Sequence, residues 1–127
     1  MTYILIVDSQ ATSRQHLIHL IEQAGHCAEA VSTLAEASSM LEEAVPDLLA
    51  TDVTLSDGSS AALVQRATEL GAKMLMMTGN PDRITEFNGS GQPYLSKPFT
   101  PELFVKRVQE ILGGGRPRGL GCRNDLD

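Results

Sequence analysis

Five βα units folded as an α/β domain, with a doubly wound parallel sheet, are implied by three features of this 127-residue chain. Short apolar runs suited to strands recur roughly every 20 to 25 residues. The segments between them carry helical periodicity and helix-terminus signals. The first, third and fourth runs are almost continuously apolar rather than alternating, as in strands covered on both faces. Together these features give repeated βα alternation and hence a parallel sheet with helices on each side. Right-handed crossovers leave few ways to connect five such units.

The first strand spans about Tyr3 to Asp8. Ser9 offers an N-cap for a helix over about Ala11 to Ala24, with Leu17, Ile18, Ile21 and Ala24 on one face and Gly25 as its stop. A short strand, about Cys27 to Val31, follows. Thr33-Leu34-Ala35-Glu36 fits a capping box and opens a helix to about Ala44. Pro46 and Asp47 interrupt the chain before a strand over Leu48 to Asp52. A loop over Val53 to Gly58 leads to a helix from about Ser59 to Leu70, stopped by Gly71, and then to a strand over Lys73 to Met77. A weak helix over Pro81 to Phe87 and a Gly-rich turn, Asn88-Gly89-Ser90-Gly91, precede the strand Pro93 to Ser96. Thr100-Pro101-Glu102 starts the last helix with a cap hydroxyl, a proline at its first position and an acid in its first turn; it runs to about Leu112. No internal repeat is visible.

Composition narrows the function. Apolar residues make up 42% and charged residues 20% of the chain, ordinary proportions for a globular domain. No apolar run approaches the roughly 20 residues needed to cross a bilayer, and no signal-peptide pattern opens the chain, so no membrane association is expected. Cys27 and Cys122 lack metal or disulfide spacing, which predicts reduced thiols and a cytoplasmic setting. Residues 1–112 are read as one domain and residues 113–127, rich in glycine and arginine, as a flexible tail. The net charge is −6; the tail contributes +1, so the domain stands at −7. Such a surface argues against direct nucleic-acid binding. His16 and His19 are read as solvated, and Met74, Met76 and Met77 as core filling.

Four polar residues directly follow strand runs: Asp8, Asp52, Thr78 and Lys97. Strand ends share one edge of an open parallel sheet, where ligand sites form. Two carboxylates, a hydroxyl and an ammonium on one rim suit phosphoryl transfer to a carboxylate. Such transfer needs its negative charge neutralised and its geometry fixed, and hard carboxylate oxygens suit Mg²⁺.

Ile4-Leu5-Ile6-Val7-Asp8, Pro46-Asp47-Leu48-Leu49-Ala50-Thr51-Asp52-Val53-Thr54-Leu55, Met76-Met77-Thr78-Gly79 and Tyr94-Leu95-Ser96-Lys97-Pro98-Phe99 occur in order and at suitable spacing. On these segments the chain, over about residues 2–112, resembles a receiver domain of the two-component response-regulator family. The resemblance implies a flavodoxin-like (βα)5 topology with strand order 2-1-3-4-5. It makes Asp52 the phosphoacceptor, Asp8 a ligand of Mg²⁺, and Thr54 the donor of a backbone carbonyl to that metal. Thr78 becomes the hydroxyl that grips a phosphoryl oxygen, Lys97 the ammonium that pairs with it, Thr78 and Tyr94 the switch, and Lys97-Pro98 a cis bond. The implied partners are a histidine kinase or phosphotransfer protein upstream and a protein target downstream. Self-phosphorylation from small donors and autodephosphorylation belong to the same expectation. Pairing with a second copy and membership of a longer regulator stay open.

Ser9 departs from the family pattern, standing where a second acid is usual. A charge missing about 4 Å from a cation is worth up to ~4 kcal/mol at an effective dielectric near 20, before solvent compensates. Mg²⁺ is therefore expected to bind weakly, with Ser9 contributing through a water. The alternative function is a degenerate receiver that binds proteins without being phosphorylated. Ser56 replaces a frequent proline, and the short stretch from Thr78 to Lys97 predicts a reduced or irregular fourth helix. An aspartyl-phosphate hydrolase of similar architecture would need an acid where Gln10 stands. A flavin binder would need a phosphate-cradling loop after the first strand.

Overall fold

The structure is a computed structural model and describes residues 2–112. In chain order it contains β1 (Tyr3–Val7), α1 (Ala11–Gln23), β2 (Cys27–Val31), α2 (Leu34–Glu43), β3 (Leu48–Asp52), β4 (Thr54–Leu55), β5 (Gly58–Ser59), α3 (Ala61–Glu69), β6 (Lys73–Thr78), α4 (Pro81–Ser90), β7 (Tyr94–Ser96) and α5 (Pro101–Ile111). Five strands form one parallel sheet in the order β2-β1-β3-β6-β7. With the small β4–β5 hairpin set aside, this is the expected 2-1-3-4-5 order of a flavodoxin-like fold. No described helix is long and apolar enough to cross a membrane. The expected tail, including Cys122, lies outside the described residues.

The continuous apolar runs are explained by burial on both sides. Leu5, Val7, Leu49 and Met76 face Leu41 of α2 and Leu63 and Ala67 of α3. Ile4, Ile6, Leu48, Leu75 and Met77 face Leu17 and Ile21 of α1 and Phe104 and Val108 of α5. Phe104 is fully buried, which contributes about 1.5–3 kcal/mol. Helix α4 buries no residue fully and touches the core only through Phe87.

Helix termini follow the sequence signals with three departures. Thr33 Oγ1 accepts from Glu36 N at 3.2 Å and Thr100 Oγ1 from Leu103 N at 3.2 Å, as their positions predict. Gly25 and Gly71 adopt the positive φ expected of helix stops. Ser9 does not cap α1. Gln10 occupies that position without a side-chain bond, and Gln10 N donates to the Asp8 carboxylate instead. The loop after β3 is partly ordered as the β4–β5 hairpin, whose pairing of Leu55 with Gly58 delays α3 to Ala61. From that hairpin Asp57 accepts from Leu34 N (3.0 Å) and Ala35 N (3.2 Å), so α2 has a second cap from a distant loop. Nor is α4 reduced. It extends through the segment read as a turn and ends at Gly91, which sits in the left-handed region at φ 78°. Asn80 caps its start and Pro81 fits its first turn. Asn88 is held from outside by the Tyr94 hydroxyl at 2.9 Å, so Gly89 is tolerated within the helix despite its propensity.

At the opposite edge of the sheet from Asp8, His26 is 3% exposed, and neither ring nitrogen has a hydrogen-bond partner among the described residues. Burial lowers its pKa, and the charge of Asp47 opposes this without reversing it. The unfolded state therefore takes up the proton first. The stability tied to neutral His26 is present above the unfolded value near 6.5 and is lost as pH falls toward the folded value. We expect the native Tm to drop between pH 7.5 and pH 5. In His26→Gln part of that drop should vanish, as measured by thermal melts at the two pH values. Equal pH sensitivity in both chains would refute the assignment.

Candidate functional site

Parallel register carries four strand ends to one edge. Val7 pairs with Thr51, Asp52 with Met77, and Thr78 with Ser96. Asp8 therefore follows β1 beside the end of β3, and Lys97 follows β7 beside the end of β6. Backbone bonds extend the ladders past the strands, from Asp8 N to Val31 O at 3.1 Å and from Lys97 N to Thr78 O at 2.8 Å. The Lys97-Pro98 peptide is cis.

The side chains converge. Lys97 Nζ lies 2.7 Å from Asp52 Oδ1 and 3.7 Å from Asp8 Oδ2. Asp8 is fully buried and Asp52 is 6% exposed, while about a third of the lysine side chain meets solvent. Asp8 Oδ1 accepts from Gln10 N at 2.9 Å, whereas Asp8 Oδ2 has no hydrogen-bond partner among the described residues. Arg14 Nη1 donates to the Asp8 carbonyl at 2.7 Å and fixes the backbone there. Ser9 contributes its backbone, whose N–H donates to Asp52 Oδ2 at 3.4 Å. Burial pushes the Asp52 carboxyl above its ordinary value; the Lys97 hydrogen bond opposes that rise, and the charge of Asp8 reinforces it.

Asp52, Ser9, Thr54, Thr78 and Lys97 line one cavity of about 380 Å³, with Asp8 buried beneath. Thr78 Oγ1 accepts from Asn80 N at 3.0 Å, and its hydroxyl can still donate. The β3–α3 loop is pinned at Val53, whose carbonyl accepts from both Ser60 N and Ser60 Oγ. Tyr94 stands apart from this cavity. Its ring lies 5.8 Å from that of Phe87, and its hydroxyl holds Asn88 of α4.

Sequence reasoning missed Arg83 and Asn80, which line the same cavity. The only signal for Arg83 was its place in the first turn of a helix that starts directly after a strand-end site residue. Two acceptor-only carboxylates, with Asp8 Oδ2 buried and unpartnered among the described residues, form a donor set that fits a hard divalent cation. Among the described residues no group of three or more histidine, cysteine or acidic side chains is placed to hold a metal ion.

A family model described as the response regulator receiver domain matches residues 4–109. The virulence transcriptional regulatory protein PhoP of Salmonella choleraesuis is 27% identical over 117 residues, covering 88% of this chain and 52% of that protein. The transcriptional regulatory protein PhoP of Escherichia coli is 27% identical over 114 residues, covering 86% of this chain and 51% of that protein. The chain thus spans about half the length of these curated relatives. Among solved structures, the chemotaxis response regulator CheY4 of Vibrio cholerae matches with TM-score 0.73 and 27% identity, over 87% of this chain and 98% of that one. A two-component response regulator from Clostridium difficile matches with TM-score 0.76 and 28% identity, over 88% and 96%.

The raised carboxyl of Asp52 has a thermodynamic consequence. A folded pKa above the unfolded one means that ionised Asp52 weakens the fold; the penalty is absent below the unfolded value near 3.9 and grows as pH rises toward the folded one. Asp52→Asn should therefore raise Tm by a few degrees at pH 7 without divalent metal. The gain should shrink as the pH is lowered toward 4, as followed by calorimetry. A lower Tm at pH 7 would contradict this account.

Proposed function

The chain belongs to the response regulator receiver domain family, and from that premise we propose that it accepts a phosphoryl group on Asp52 from a histidine kinase or phosphotransfer protein. The observation that carries this reading is the Lys97 ammonium set between two buried carboxylates, beside the Thr78 hydroxyl in an open cavity. An Asp52 oxygen attacks phosphorus while the bond from phosphorus to the donor breaks, and the donor departs with that electron pair. Lys97 offsets the charge on the phosphoryl oxygens, and Thr78 donates a hydrogen bond to one of them.

Asp8, Asp52 and the Thr54 backbone carbonyl would hold Mg²⁺, with Ser9 reaching it through a water. The ion would supply further neutralisation of phosphoryl charge. Ser9 makes this site weak. Titrating Mg²⁺ should show at least ten-fold tighter binding in Ser9→Asp than in the native chain; equal affinities would remove the argument.

The output would be a surface around α4, β7 and α5 offered to a downstream protein, with Thr78 and Tyr94 as the moving parts. Autodephosphorylation would reset it. A second reading, a degenerate receiver that binds its partner unphosphorylated, is favoured by Ser9 alone. Incubation with acetyl phosphate and Mg²⁺ separates the two. The first reading expects one phosphoryl mass increment on the native chain and none on Asp52→Asn, read by intact-protein mass spectrometry. No increment on either chain would support the second.

A further inference from the structure

Arg83 occupies the third position of α4, after the cap Asn80, Pro81 and Asp82, and it lines the same cavity as Asp52, Thr78 and Lys97. Its side chain is 47% exposed, and Nη1 lies 3.0 Å from Glu86 Oε1 one turn along the helix. An exposed pair at this spacing adds little to stability, so the helix does not need this arginine. The cavity does. Its other ionised side chains are Asp8, Asp52 and Lys97, which sum to one negative charge. A phosphoryl group arrives with nearly two more. With Arg83 counted, the cup is neutral before any metal binds. A guanidinium carries five N–H donors and stays charged, so Glu86 can hold one edge while other donors face the cavity.

We propose that Arg83 is a second phosphate-binding cation of this cup, gripping the phosphoryl oxygens of a dianionic donor alongside Lys97 and supplying positive charge where Ser9 leaves Mg²⁺ weakly held. This rests on the phosphoacceptor reading for its biological use but not for its test. During transfer Arg83 neither gives nor takes a proton. The bond from Asp52 oxygen to phosphorus forms, the donor bond breaks, and the donor keeps the electron pair, while Arg83 only binds and orients. It is a position that selects for anionic donors.

The test titrates inorganic phosphate into the full chain, following the backbone amides of Thr78, Gly79 and Asn80 by NMR. Arg83→Gln should weaken binding about five- to ten-fold, and Arg83→Lys by less, since a lysine keeps the charge but loses the fork. Glu86→Gln breaks the same ion pair and should leave affinity unchanged or tighter. Equal losses in Arg83→Gln and Glu86→Gln would mean that the pair only holds the helix, and would overturn the proposal. So would equal affinity in the native chain and Arg83→Gln, or no phosphate binding by the native chain. Acetyl phosphate labelling of the same variants reports separately on the acceptor. Arg83-dependent phosphate binding with no mass increment on the native chain would sink the acceptor reading and leave the phosphate site standing.

Discussion

Two carboxylates are buried at the edge of a parallel sheet, with one ammonium between them. Asp8 is inaccessible to solvent and Asp52 nearly so, and Lys97 reaches both. Burying charge is costly unless it is paired and hydrogen-bonded, and here the pairing is incomplete, because an oxygen of Asp8 finds no donor among the described residues. The surrounding fold supplies the balance. Continuous apolar strands beneath the cup, covered on one face by α1 and α5 and on the other by α2 and α3, provide the burial that keeps this electrostatically poor arrangement in place. The site is thus a local weakness held by the core, and a cation set against the unpartnered Asp8 oxygen would relieve it.

The same edge explains which parts of the molecule are firm and which are loose. The β3–α3 loop is tied twice at Val53, and Asp57 reaches from the β4–β5 hairpin to cap α2, so the β3 side of the cup is braced from both directions. The opposite side is not. Helix α4 has a well-made N-terminus yet buries no residue fully. Few apolar contacts and good local capping describe an element that keeps its own shape while its position on the domain remains cheap to change.

Most of this was legible before any coordinates. Spacing placed all five strands of the main sheet, and apolar continuity marked β1, β3 and β6, because a strand buried on two faces leaves no alternation to misread. Strand-end positions then placed Asp8, Asp52, Thr78 and Lys97 on one rim, since register in a parallel sheet turns sequence order into spatial neighbourhood. The errors are local. Ser9 reads as a cap by type, but the Asp8 carboxylate takes the adjacent amide. Asn88-Gly89-Ser90-Gly91 reads as a turn by composition, but the Tyr94 hydroxyl holds Asn88 from another element, and tertiary contact outweighs propensity. Arg83 carried only a faint signal, its place in the first turn of α4, because its position in the cavity wall comes from the direction in which α4 leaves the sheet, which no spacing in the chain encodes. Asp57 looks like an ordinary turn residue until the N-terminus of α2 is seen beside it.

Asn80 ties these observations together. Its backbone N–H donates to Thr78 Oγ1 in the cup, and its side-chain oxygen accepts from Asp82 N to cap α4. One residue therefore belongs both to the wall of the charged cavity and to the start of the least buried helix. The Thr78 hydroxyl can donate to a new acceptor while it keeps the bond from Asn80, whereas a change of the Thr78 rotamer would break that bond at the start of α4. At the far end of α4 the bond from Tyr94 to Asn88 and the contact between Phe87 and Tyr94 are the main restraints. Both run to the strand that ends one residue before Lys97. Thr78 is thus two residues from the cap of α4, and Lys97 three residues from the tyrosine that holds its far end, so both ends of the helix are tied to the rim of the cup.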